Sequence, residues 1–272
     1  AQVFAQIGAY TLPALLPTFI REWSLSNTEA GWLIGVFYAS YVLAVPVLVS
    51  LTDRIDARSV YIFSVTLTII SHLGFAFFAD DFTAGMVFRF LAGVGWAGTY
   101  MPGLKTLTDH LDGKMQTRAV SFHAAGVGIS GSISFVVAAT VESFSGWQEA
   151  FIAAAGFSAT ALLIALVFMP RQQKSADAQG HIRGHFLDFR PVIRNRSALA
   201  YALNYMVHTW EMSVLRNWVV VLLVYVAAKN GLENPPIPPA YVVTLLGLMG
   251  TWASIVGNEA AIRFGRQRWV LM

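Results

Sequence analysis

The chain has 272 residues, of which 56% are hydrophobic and only 12% charged, with a mean hydropathy of +0.58. That charged share is about half the norm for a soluble globular domain, so a water-soluble enzyme or binding module is excluded as the first reading. The absence of cysteine rules out a disulfide framework, thiol catalysis and Cys-ligated metal sites. The formal net charge of +3 carries less information than where the charges fall.

Eight apolar runs approach the ~20 residues needed to cross a bilayer as a helix. They lie at about 1–20, 31–51, 59–79, 83–106, 117–141, 148–169, 198–227 and 240–257. None carries the broad polar stripe of a soluble surface helix, so the expected fold class is an all-α membrane protein. In alternate connections, fourteen of the eighteen Lys and Arg fall on one side, only Arg21 and Lys229 on the other, and Arg89 and Arg216 within spans. Acidic residues divide evenly between the two sides. This is the positive-inside pattern. It places the first run leaving the cytoplasm and the 170–196 connection inside; a cytoplasmic (inner) membrane is the expected location.

The chain begins in an apolar run with neither a basic leader nor a cleavage pattern, so the natural amino terminus is expected upstream. Span 1 holds Gln6, Tyr10, Pro13 and Pro17, and its prolines are expected to kink it. Tyr10 is a candidate cavity residue or a packing residue of a bent helix. Ser26 or Asn27 caps span 2, which carries Tyr38, Ser40 and Tyr41. The polar insertion Asp53-Arg54-Ile55-Asp56-Ala57-Arg58 follows, read on its own as a short basic stop. Asp56 suits a position with φ > 0 there, because Asp tolerates it.

Span 4 reads Phe88 to Tyr100, FRFLAGVGWAGTY. A guanidinium at membrane depth costs at least ~2.5–3.5 kcal/mol and normally faces a bundle interior or a wet cavity. At ~100° per residue, Arg89, Gly93, Trp96 and Tyr100 share one face, and Gly95 and Gly98 lie towards the other. One face suits a polar cavity and the other close helix contact. The competing reading has Arg89 snorkelling to the interface.

In span 5, Ala124, Gly128 and Ser132 form a line of small residues at i, i+4 and i+8, which is close-packing chemistry. His123 and His72 read as hydrogen-bonded packing residues ahead of proton carriers. Span 7, YALNYMVHTWEMSVLRNW, places Tyr201, Asn204, Tyr205, His208 and Glu211 within an arc of about 120°, with Arg216 at its edge. His208 and Glu211, three residues apart, can touch and suit a proton relay, since burial brings an acid and an imidazole towards each other in pKa. The same pair also suits a packing lock. Two side chains make no coordination sphere, so no metal and no cofactor are expected beyond a coupled proton or other ion. No catalytic set, phosphate loop or nucleic-acid motif is present, and enzyme activity is not expected.

Two of these motifs resemble the major facilitator superfamily. Asp53, Arg54 and Arg58 match its loop Gly-x-x-x-Asp-Arg-x-Gly-Arg-Arg/Lys, with Val49, Asp56 and Ala57 departing from it. Arg89, Gly93, Gly95 and Ala97 match its Arg-x-x-x-Gly-x-Gly-x-Ala pattern. After span 8, Arg263, Gly265 and Arg266 resemble the second copy of the loop, with Ile262 in place of its acid and Glu259 a turn earlier. The resemblance implies two parallel six-helix halves: 1–169 the first, 170–196 the cytoplasmic loop between them, and 197–272 the start of the second. It therefore implies a fragment, spans 1–8 of twelve, of a protein of about 400 residues at ~30 or more per span.

The expected function is secondary active transport by alternating access, moving a small anionic or polar metabolite with protons across the bilayer, as a monomer without nucleic-acid partners. The resemblance gives Arg89 a cavity and proton-coupling role. The candidate substrate and proton residues are Arg89, His208, Glu211, Arg216, Asn204, Tyr201, Trp96, Tyr100 and Tyr10. The candidate gating residues are Asp53, Arg54, Arg58, Glu259, Arg263 and Arg266. Two alternatives stay open: a drug or cation efflux antiporter with Glu211 as cation partner, which the missing Gly-Pro of span 5 counts against, and a non-transporting membrane enzyme or receptor.

Overall fold

A computed structural model of the chain describes residues 1–109, 111–171, 190–232 and 235–264. Eight long helices follow the eight apolar runs: α1 Gln2–Glu22, α2 Asn27–Leu51, α3 Ala57–Phe78, α4 Phe82–Thr108, α5 Gly113–Ser145, α6 Trp147–Phe168, α7 Arg196–Lys229 and α8 Pro239–Phe264. A single turn, Arg190–Arg194, precedes α7. Seven of the eight are long and apolar enough to cross a membrane. The eighth, α4, has the length, but Arg89 and its glycines dilute its hydropathy.

The helix ends follow local chemistry. Ser26 caps α2 in a reciprocal box, its hydroxyl accepting from the Glu29 N–H while the Glu29 carboxylate accepts from the Ser26 N–H. Asp56 caps α3 by accepting from the Arg58 N–H at 3.0 Å. Its φ of −57° corrects the expectation of a left-handed residue: the side chain is chosen for capping. The hinge between α5 and α6 is one residue, Gly146, at φ +104°, a conformation that excludes a Cβ at little cost only to glycine.

α1 is broken, but not at its prolines. Residues Ile7–Tyr10 form a 3-10 turn between Gln2–Gln6 and Thr11–Glu22. Pro13 sits in the first turn of the new helix, where its missing N–H has no intrahelical partner to lose. The freed Tyr10 N–H donates instead to Ser134 Oγ of α5 at 3.0 Å.

Close approach is set by small residues. A Cβ at Gly93 would overlap Ser40 and the Phe37 carbonyl of α2, and one at Gly95 would overlap Thr68 and the Ser64 carbonyl of α3. α4 is thereby wedged between α2 and α3. The span-5 line behaves as expected: Gly128 faces Thr251, and Ser132 faces Gly247 and accepts through its carbonyl from Thr244 at 2.9 Å. Hydrogen bonds cross the α5–α8 seam near both its ends, Thr140–Tyr241 at 2.8 Å and Asn258–Ser121 at 2.7 Å.

The largest apolar core lies at the end away from the basic loops. There Phe19, Trp23, Phe75, Trp147 and Phe151 interlock, with Phe75 and Phe151 stacked at 4.1 Å. Val220 of α7 and Val243 of α8 join the same cluster, so this end ties α7 and α8 to α1–α6. In an apolar solvent such contacts hold helices together by packing rather than by water exclusion.

Candidate functional site

Arg89 is enclosed. It is 2% exposed, its Nε donates to the Leu33 carbonyl at 3.3 Å, and its guanidinium lies 4.4 Å over the Phe37 ring. Tyr38 and His72 are within electrostatic reach. The side chain does not snorkel; it is sealed between α2 and α4, and no carboxylate pairs with it among the described residues. A cation over an aromatic face gains ~0.5–2 kcal/mol when desolvated, which offsets part of its burial.

Phe37 passes that contact on to an aromatic wall. Trp96 packs against Phe37 at 5.4 Å and Tyr41 at 4.9 Å, and its buried Nε1–H has no acceptor among the described residues. One turn on, the Tyr100 ring lies 5.0 Å from His123, which donates from Nε2 to the Tyr100 carbonyl at 3.0 Å. His72 packs tightly against Gly8 of α1 and beside Phe151. Both histidines sit in packed positions.

Opposite the wall stands α7. Asn217, 3% exposed, donates to the Tyr38 phenol oxygen at 2.8 Å and to the Ser213 carbonyl at 2.7 Å. Arg216 places its guanidinium 5.9 Å from the Tyr10 ring, which stacks on Phe135 at 5.4 Å. Gly131 of α5 gives that ring and Arg216 room. Tyr10, Tyr38, Arg216 and Asn217 thus form a bridge from α1 and α2 to α7.

From this bridge towards the basic end, α7 stands clear of its neighbours. Tyr201, Asn204, Tyr205, His208 and Glu211 are all exposed. Tyr205 is within electrostatic reach of Tyr41 and Tyr100 across the gap. No hydrogen bond or ion pair joins His208 to Glu211 among the described residues.

At the basic end Asp53 pairs with Lys105 of α4 at 3.3 Å. Arg58 donates to the Leu166 carbonyl of α6 at 2.6 Å. Glu259 of α8 pairs with Arg263 at 3.2 Å and with Arg118 of α5 at 3.6 Å. Arg54 is exposed; Arg266 lies outside the described residues. No motif or spacing marks Lys105 or Arg118 as partners, nor Asn217, nor Glu142, whose carboxylate accepts from Thr18 at 2.5 Å. Each is an ordinary polar residue until its partner, tens of residues distant, is placed beside it.

The family model of the Major Facilitator Superfamily matches residues 1–272. The chain belongs to the major facilitator superfamily. It is 23% identical over 232 residues to protein spinster homolog 3 of Danio rerio, covering 83% of this chain and 47% of that protein. It is 29% identical over 170 residues to a gentisate transporter of Corynebacterium glutamicum (61% and 38%), and 24% identical over 151 residues to the niacin transporter NiaP of Acinetobacter baylyi (55% and 34%). The fold matches the crystal structure of a mutant of the nucleoside transporter NupG with a TM-score of 0.61 at 18% identity, covering 98% of this chain and 67% of that one. The chain spans about half or less of the length of these curated relatives. Membership in this superfamily makes it a multi-pass membrane protein of a transporter family, with the bilayer around it.

Proposed function

We propose that the chain is the first half and the opening of the second half (1–169, 170–196 and 197–272) of a proton-coupled secondary transporter for a small organic anion. The observation that supports alternating access is the asymmetry of α7. It meets α1 and α2 through Tyr10, Tyr38, Arg216 and Asn217, yet its residues towards the basic end stand clear of both. With the basic end in the cytoplasm, this is a carrier closed outside and open inside, and rocking of the two halves would reverse it.

Arg216, paired with no acid among the described residues, and Arg89, sealed behind Phe37 without touching the path, both add positive potential to it, so an anion is the complementary cargo. Tyr10, Trp96, Tyr100, Tyr201 and Asn204 line its path. His208 and Glu211 carry the proton on α7. Asp53, Arg54, Arg58, Glu259, Arg263 and Arg266 steady the loops that move past each other at the cytoplasmic face. The relatives named for gentisate and niacin transport agree with small organic cargo. The protein works as a monomer in an inner membrane. Glu211, exposed and without an ion pair among the described residues, favours one second reading, a cation exporter.

Counterflow by the full-length protein in proteoliposomes is the test. Labelled organic anions are expected to exchange, with inward proton movement reported by an internal pH dye. Exchange of organic cations instead would replace this reading with the second one.

A further inference from the structure

Resting on the orientation proposed above, with the basic end in the cytoplasm, and not on the nature of the cargo, we propose that the Arg190–Arg194 turn and the first residue of α7 form an anchor lying on the anionic inner leaflet. Arg190, Arg194 and Arg196 meet phospholipid headgroups, and Val192 and Ile193 dip beneath them. The segment carries three arginines in seven residues, with no acid from there until Glu211. At ~100° per residue, Arg190 and Arg194 stand within about 40° of each other, and Val192 and Ile193 turn away from them. A cationic side set against an apolar side is the pattern of a segment that lies in a membrane interface.

Neither side finds its complement within the described residues. All three arginines are exposed, and Arg194 and Arg196 pair with no acid there. Val192 is 47% and Ile193 62% exposed, and neither joins an apolar cluster. Their level in the bilayer follows from α7, whose 34 residues rise about 51 Å at ~1.5 Å each. A bilayer with its headgroups is only ~40–45 Å thick, so the start of α7 reaches the headgroup layer. Asn195 alone separates the turn from the helix, its side chain accepting from the Ser197 and Ala198 N–H groups at 3.1 Å each, so the turn is carried on a capped corner. Each basic residue near an anionic leaflet is worth about fivefold in affinity. Because Tyr201, Asn204, Tyr205 and His208 are exposed, the leaflet is the surface that holds this end of α7, from which the second half starts.

The test is the membrane depth of a spin label on Ile193→Cys in the full-length, otherwise cysteine-free protein. The vesicles are phosphatidylcholine with or without about 30% phosphatidylglycerol. In the anionic vesicles, collisions with lipid-soluble oxygen relative to an aqueous nickel chelate are expected to rise at least about threefold as the label enters the interface. Arg194→Gln combined with Arg196→Gln is expected to abolish that rise, as is about 0.5 M salt, which screens the charges. Arg194→Lys combined with Arg196→Lys is expected to keep it, since the leaflet responds to charge. A label equally open to water in both vesicles overturns the anchor and leaves transport standing. So does a label shielded from oxygen and chelate alike, which would show that other parts of the carrier cover the turn. Reaction of Ile193→Cys with an impermeant thiol reagent applied outside intact cells overturns the orientation, and with it the inward-open assignment.

Discussion

Asn217 of α7 and Tyr38 of α2, 179 positions apart in the chain, share a 2.8 Å hydrogen bond between Nδ2 and the phenol oxygen. Its place matters because α7 otherwise meets the first six helices mainly through the apolar cluster at the same end. A buried bond of this kind contributes ~0.5–1.5 kcal/mol. A double-mutant cycle of Tyr38→Phe and Asn217→Ala, read by denaturation in detergent, is expected to give a coupling energy in that range. Strict additivity of the two variants would show that the contact does not hold in the membrane protein.

Helix spacing at α4 gives a sharper expectation. Gly95→Val places a branched side chain against Thr68 and the Ser64 carbonyl, an overpacking that costs ~1–3 kcal/mol or more. Gly35→Ala in α2, where nothing lies within 4 Å, is expected to be neutral. Fractions of monodisperse protein and melting temperatures of the two variants check the contrast.

Arg89→Lys keeps the charge but loses the planar group lying over Phe37. A loss of ~0.5–2 kcal/mol of stability is expected, with a fall in turnover and little change in apparent KM, because Arg89 does not reach the cargo. A large KM effect without loss of stability would put Arg89 in direct contact with it.

At the basic end the ion pairs of Glu259 are partly exposed, and such pairs contribute ~0–1 kcal/mol. Glu259→Gln is therefore expected to shift stability by less than about 1 kcal/mol, with the difference shrinking as salt is added. Its larger effect belongs in the transport rate, measured by counterflow.

The helices and their order were readable because each apolar run has the length of a bilayer and the Lys and Arg residues punctuate the gaps. The small-residue faces were readable too: Gly95 and Gly98 meet α3, and Gly128 meets Thr251 of α8. Gly93 is instructive. It shares a face with Arg89, as its spacing requires, but that face is covered by Phe37 and Ser40 rather than open. Periodicity gives the face of a helix, and only the neighbour determines whether that face is wet or sealed. The α1 break is not legible in its own sequence for a similar reason, since Ser134 on a distant helix stabilises the freed Tyr10 N–H. The polar arc of α7 was visible in projection; the division of labour between Arg216 at the bridge and Glu211 in the exposed stretch was not.

Movement between the two sets of helices is the central claim, and the chain's lack of cysteine makes a direct measurement clean for this part of the protein. With Tyr38→Cys and Asn217→Cys introduced together in an otherwise cysteine-free full-length protein, a short bifunctional thiosulfonate reagent ties α2 to α7 through the bridge, and a reductant releases it. The account predicts that counterflow of the transported anion stops when the tie is made and returns when it is cut. Counterflow that continues at the untied rate, with the tie confirmed by mass, would contradict it.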